Sequence, residues 1–214
     1  MIAIGVLVSG SGTNLQAILD AIASRALSAK VAVVIANVAE SGAISRATKA
    51  GVDAVVIDHR AFVDRRAFDA ALVGVLRAHA VDWVVLAGFM RLVTPVLLDA
   101  FPMRVVNVHP ALLPAFPGMN AQKQAIDYGV RIAGCTVHFV DGGKDTGPII
   151  AQSAVPVFED DDEQSLRERI LRQEHALLPQ VLQWISEGRV SLDPATPTGG
   201  RTRVRVNGPP LPQP

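Results

Sequence analysis

Ile2-Ala-Ile-Gly-Val-Leu-Val8 is followed by Ser9-Gly-Ser-Gly-Thr-Asn14, and then by Leu15, Ala17, Ile18, Leu19 and Ile22. The first run is almost wholly apolar, which is the pattern of a strand covered on both faces of a parallel sheet. The apolar residues after Asn14 recur at helical spacing. Strand, glycine turn and helix make the first half of a βαβ unit. The glycines let the backbone turn tightly and approach a ligand. Thr13 or Asn14 is placed to cap the helix, whose free N–H groups and positive dipole end favour an anion. The turn is neither G-x-G-x-x-G nor a Walker loop with its lysine, so a dinucleotide or triphosphate is not indicated. A single phosphate monoester is the inference; an ordinary strand–helix turn is the alternative.

The same alternation continues. Residues 31–37 read as a second strand, 42–50 as a short helix ended by Gly51, and 52–57 as a third strand. Asp58-His59-Arg60 reads as a solvated polar loop, with a functional His59 as the alternative. Asp64 to His79 carries Phe68, Leu72, Val75 and Leu76 at helical spacing, with Asp64 as its N-cap. Arg65 in the first turn opposes the helix dipole, which hints at an external anion. Residues 82–87 form a fourth strand, followed by Gly88-Phe-Met-Arg-Leu-Val93. Phe89 and Met90 there either line an apolar slot or cap the core. Pro95 opens a short helix as an N1 proline.

The stretch Arg104-Val-Val-Asn-Val-His-Pro110 is the central chemical signal. Asn107 and His109 are two apart on a strand and share a face. They lie at its C-terminal end, where open α/β sheets place their ligands. An amide suits a developing oxyanion, and an imidazole moves protons near neutral pH. A buried polar pair shaping the turn is the plainer alternative. Downstream, Gly118 to Tyr128 is helix-like and ends at Gly129. Residues 133–140 alternate as a strand carrying His138, which is either a core histidine or a site residue. The loop 141–148 is rich in Gly and carboxylates. Residues 149–157 form a strand that Pro156 places at an edge. The acidic run 159–163 complements the dipole of a long helix reaching about Gly188. Residues 194–214, with Arg201, Arg203, Arg205 and many prolines, read as a mostly irregular tail. The order predicts a doubly wound α/β domain with a mixed, mostly parallel sheet and a long C-terminal helix.

Composition narrows the function. The 20 basic and 20 acidic residues cancel, which argues against a general nucleic-acid or membrane-surface binder. The single cysteine, Cys135, excludes an intrachain disulfide, fits a reducing cytoplasm, and reads as a buried small hydrophobe. The N-terminus has no secretory pattern, and no apolar run reaches the ~20 residues of a membrane span. No Cys/His/carboxylate cluster has metal-ligand spacing.

Four stretches carry a resemblance: Ser9-Gly-Ser-Gly-Thr-Asn-Leu-Gln-Ala-Ile18, Leu86-Ala-Gly-Phe-Met-Arg91, Asn107-Val-His-Pro-Ala-Leu-Leu-Pro114 and Asp145-Thr-Gly-Pro148. In this order the chain closely resembles the phosphoribosylglycinamide formyltransferases, folate-dependent enzymes of purine synthesis and one-carbon metabolism. The resemblance runs to about residue 190 and includes Gln173-Glu-His175. Asn-x-His-Pro with a downstream Asp is common to 10-formyltetrahydrofolate-using transferases and deformylases. The Ser-Gly-x-Gly-Thr-Asn turn points to the ribonucleotide acceptor.

The resemblance implies a Rossmann-like formyltransferase domain over 1–193. Residues 1–100 would be its phosphate-binding half and 101–193 its folate-binding, catalytic half, with 194–214 as tail. It implies Gly12, Thr13 and Asn14 at the 5′-phosphate, Glu174 at the ribose, and Asn107, His109 and Asp145 as a catalytic trio. Arg65, Met90, Arg91, Leu92, Val93, Asn107 and the 141–145 loop would hold 10-formyltetrahydrofolate as co-substrate. The implied partners are small molecules in the cytoplasm, with no metal, nucleic acid or membrane; homodimer formation is left open. The expected reaction is formyl transfer to the glycinamide amine. Asn107 and protonated His109 would stabilise the oxyanion, and Asp145 would raise the imidazole pKa and relay the proton.

The chain departs from its relatives at Asn120, where many carry His. Leu171 and Arg172 stand where some have polar residues near the phosphate, and Arg172 is the candidate substitute. Hydrolysis of 10-formyltetrahydrofolate is the alternative enzyme reading. Methionyl-tRNA formylation is disfavoured by the zero net charge and short tail, and a non-catalytic binding module by the intact trio.

Overall fold

The computed structural model describes residues 1–193 and 202–208. The opening run is β1 (Ile2–Val8), and all but its first residue are buried. Then come α1 (Thr13–Ala23), β2 (Ala29–Ala36), α2 (Gly42–Lys49) and β3 (Ala54–Val56). A 3-10 turn at His59–Ala61 leads into α3 (Arg65–Ala78), β4 (Trp83–Leu86) and α4 (Pro95–Ala100). The chemical stretch is β5 (Val105–His109), followed by α5 (Ala121–Tyr128) and the hairpin of β6 (Ile132–Phe139) and β7 (Ile149–Pro156). The long helix α6 (Glu163–Ser186) and the short strands β8 (Val190–Leu192) and β9 (Val204–Val206) complete the described chain.

Seven strands form one sheet in the order β3-β2-β1-β4-β5-β6-β7. Strands β1 to β5 are parallel, and β6 and β7 are antiparallel. The order reverses between β1 and β4, so their C-terminal ends open a crevice, the usual ligand position in such sheets. Val8, Leu86 and Asn107 all stand at or near this rim. One face of the sheet packs Leu15, Ile18, Leu166, Ile170 and Leu178 from α1 and α6. The other packs Phe68, Leu72, Leu76 and Leu97 from α3 and α4.

Three local expectations from sequence hold. The Asp64 carboxylate accepts from Ala67 N at 2.8 Å and caps α3. Asp162 and Ser165 form a reciprocal capping box at the start of α6, and Asp161 is ion-paired with Arg169, so the acidic run is structural. Pro156 ends the edge strand β7.

Three expectations change. Neither Thr13 nor Asn14 caps α1: the cap is Gly12 in the left-handed region (φ 74°), without a side-chain bond. A Cβ on Gly12 would lie 2.7 Å from Ala43 Cα, so packing against α2 as well as backbone angle demands glycine. His59 is not a free loop residue. Its Nδ1 lies 3.2 Å from Asn37 Nδ2, and its ring meets Phe68 edge-on. Within the stretch read as an irregular tail, β9 pairs antiparallel with β8, and Val204 and Val206 pack against the core. Three residues give too short a pattern to announce a strand; the pairing partner creates it. Arg201, like residues 194–200 and 209–214, lies outside the described residues.

Candidate active site

Two clefts meet at the crevice. The smaller, of about 180 Å³, is floored by Gly10, Ser11, Gly12, Thr13 and Asn14 and walled by Arg167, Leu171 and Glu174 of α6. The turn is fixed from behind. Ser41 Oγ donates to Gly10 O at 2.8 Å, and Arg46 Nε donates to Ser11 O at 2.9 Å. The first turn of α1 has no side-chain cap, so its N–H groups are left open to an acceptor from outside the helix. Asn14 turns instead to Glu174, donating through Nδ2 at 2.7 Å. Both residues are buried, and Asn14 Oδ1 has no partner among the described residues. Burial pushes the Glu174 carboxyl up from the usual range, opposed by the Asn14 amide.

The larger cleft, of about 720 Å³, contains the rest. Arg65, Met90, Arg91, Leu92 and Val93 line one side, and residues 141–145 line the other. Phe89 and Met90 both line the cleft, but at different depths. Phe89 is buried and stacks on Phe68, whereas Met90 and Leu92 are exposed along the cleft. The 88–94 segment is pinned at both ends. Met90 N donates to Ser9 Oγ at 2.8 Å, and Thr94 N donates to the buried Asp69 carboxylate at 2.5 Å.

Asn107, His109 and Asp145 come together at the floor. His109 Nδ1 stands 3.6 Å from Asp145 Oδ2, and its Nε2 is 2.9 Å from Phe116 O. A carbonyl only accepts, so Nε2 carries hydrogen, and Nδ1 is the nitrogen that faces Asp145. Asp145 Oδ2 also accepts from Gly118 N at 2.7 Å. Asp145 itself has φ 54°, a left-handed conformation that Asp tolerates better than most residues.

His138 is a site residue that the strand pattern left undecided. It pairs with Asn107 across β5 and β6, so the two side chains are direct cross-strand neighbours. Its Nδ1 lies 2.7 Å from Phe139 O and therefore carries hydrogen. Nε2 is then the acceptor for Asn107 Nδ2 at 3.1 Å. Burial lowers the His138 pKa, which keeps the ring neutral and able to accept. This network fixes which way the Asn107 amide faces and leaves its second N–H for another oxygen. The antiparallel partner strand supplies this contact, and spacing within one strand could not reveal it.

Asn120 lines the same cleft and caps α5 with φ 57°. The conformation accounts for an Asn there, because its short amide tolerates the left-handed region. Cys135 is fully buried, and burial pushes its thiol up to about 12, so it serves as packing. Among the described residues no group of three or more His, Cys, Asp or Glu could hold a metal ion, and no helix is long and apolar enough to cross a membrane.

The fold is a doubly wound domain in which an uncapped glycine turn lies beside an amide–imidazole–carboxylate floor. The comparisons with known proteins place it in a family. Residues 2–182 match the formyl transferase family, and the chain belongs to that family. It is 40% identical over 187 residues to the phosphoribosylglycinamide formyltransferase of Escherichia coli, covering 87% of this chain and 88% of that protein. It is 45% identical to the trifunctional purine biosynthetic protein adenosine-3 of Drosophila melanogaster over 89% of this chain, but spans only 14% of that protein's length. Glycinamide ribonucleotide transformylase 1 from Symbiobacterium toebii has the same fold. Its TM-score is 0.91 at 53% identity, covering 96% of this chain and 94% of that one.

Proposed function

We propose that this chain transfers the formyl group of 10-formyltetrahydrofolate to the amine of 5′-phosphoribosylglycinamide, a step of purine synthesis. One observation carries the proposal: the two clefts share a wall. Gly88, Met90, Val108, Pro110, Gln122 and Arg167 line both. A phosphate held by the Gly10–Asn14 turn therefore leaves the rest of its molecule running toward Asn107, His109 and Asp145. The larger cleft fits a folate in character, with apolar Met90 and Leu92 for a flat ring and exposed backbone around it.

The donor supplies an activated formyl carbon on nitrogen. The amine's lone pair forms the new C–N bond while the carbonyl π pair moves onto the formyl oxygen, giving a tetrahedral intermediate; its collapse breaks the C–N10 bond, and one amine proton ends on N10. Asn107, held by His138, donates its free N–H to the formyl oxygen as charge develops there. His109 lies beside it and Asp145 faces His109 Nδ1, so the pair accepts the amine's proton and returns it toward the leaving nitrogen. Gly12, Thr13 and Asn14 bind the phosphate through backbone N–H groups, and Glu174 receives the ribose hydroxyls.

Absorbance-monitored conversion of 10-formyltetrahydrofolate tests the proposal. Turnover that requires glycinamide ribonucleotide is the expected result. Turnover at the same rate with water alone, or none with both substrates in folded protein, overturns it.

A further inference from the structure

A phosphate monoester brings about −1.5 to −2 charges at neutral pH. The start of α1 offers only about +0.5. Glu174, in the same small cleft, adds negative charge whenever it is ionised. The cradle as built from the turn alone is therefore undercharged.

Arg167 is the only Lys or Arg among the described residues lining that cleft. It lies on α6 four residues before Leu171 and seven before Glu174, so the three form one stripe along the helix. Its side chain is exposed, and among the described residues it forms no hydrogen bond or ion pair. It is close enough to Glu174 to act on that carboxyl, holding it down against burial. Arg172, the candidate from sequence, is five residues on, about 140° round the helix, and lines neither cleft.

We infer that Arg167 is the cation that binds the substrate phosphate, taking the place that Leu171 leaves without a polar group, and that Arg172 has no part in it. This deepens the proposed function and rests on it. Arg167 reaches over from the wall shared by both clefts and closes on the phosphate as a charge-assisted, two-pronged donor. The guanidinium has no hydrogen bond among the described residues to give up in doing so.

Three proteins decide it: the unaltered chain, Arg167→Gln and Arg172→Gln. Each is titrated with ribose 5-phosphate and assayed with glycinamide ribonucleotide and its dephosphorylated riboside. The expected result is a 10- to 100-fold weaker ribose 5-phosphate affinity and a similar rise in KM for the ribonucleotide in Arg167→Gln, the range of a lost charged hydrogen bond. Its kcat and its rate with the riboside should stay within about threefold, Arg172→Gln should match the unaltered chain, and Arg167→Lys should recover part of the loss. Equal ribose 5-phosphate affinity in Arg167→Gln and the unaltered chain overturns the assignment while leaving formyl transfer intact. So does a KM change confined to the formyl donor. Failure of the unaltered chain to bind ribose 5-phosphate overturns both this assignment and the proposed acceptor.

Discussion

The two halves of the crevice are made of different material. The Gly10–Asn14 turn presents backbone: its donors are N–H groups, its shape comes from Gly12, and its supports, Ser41 and Arg46, grip carbonyls. The floor at β5 presents side chains, Asn107 held by the His138 side chain, His109 by the backbone carbonyl of Phe116 and Asp145 by the backbone N–H of Gly118. A backbone site tolerates side-chain changes that keep its φ and ψ. A side-chain site fails when a single member is replaced, or, for Asn107, when its side-chain holder His138 is replaced.

The largest contrast is expected at Asp145. Asp145→Asn should lower kcat on the order of 10²- to 10⁴-fold with unchanged circular dichroism, the range of a lost general acid–base. Turnover near that of the unaltered chain would remove Asp145 from the proton path. At the next level, His138→Phe leaves the Asn107 amide without its acceptor. A kcat loss of about 100-fold with little change in KM is expected, as for a group displaced by about 1 Å. His138→Gln, whose amide oxygen can accept, should recover part of the rate; if both variants behave alike, the positioning role is wrong.

On the other side of the comparison, Gly12→Ala should damage the cradle through its backbone. A left-handed Ala costs about 1–2 kcal/mol, before the clash with Ala43 is added. Lower Tm and weaker phosphate affinity should appear together, whereas Thr13→Ala, which leaves the N–H in place, should change KM less than about threefold. A Thr13→Ala effect larger than that of Gly12→Ala would overturn the backbone account.

The smallest effect is one of pH. Burial holds the folded-state pKa of His138 below its unfolded value of about 6.5. The unfolded chain therefore binds this proton first as pH falls. The neutral ring's contribution is fully present above about pH 6.5 and is lost as pH drops through the depressed folded value. Tm should fall more steeply below pH 6.5 in the unaltered chain than in His138→Gln. Parallel curves would show that His138 does not carry the effect.

Much of this was readable from periodicity. The apolar runs at 2–8 and 82–87 and the interrupted run at 104–109 read as strands, and Asp64 announced the cap of α3. The likeness of the four short stretches to a known family pointed to Asn107, His109 and Asp145 and to the Gly12–Asn14 turn, which the structure brings to neighbouring clefts. Other features were illegible because their causes are non-local. Gly12 displaced Thr13 and Asn14 from the cap because Ala43 approaches from α2. His138 entered the site because β6 runs antiparallel to β5 and sets it opposite Asn107. β9 exists because β8 is there to pair with it.

The sequence by itself determined the alternation of strand and helix, the glycine turn and the Asn107–His109 face, since each follows from neighbours within a few residues. Only the tertiary structure decided that Arg167 rather than Arg172 overlooks the cradle, that Asn14 is joined to Glu174 across 160 positions, and that the two clefts share a wall. Those facts depend on how α6 is rotated against the sheet and how strands from both halves align. Local patterning does not encode these, because burial of the whole helix face selects them at once.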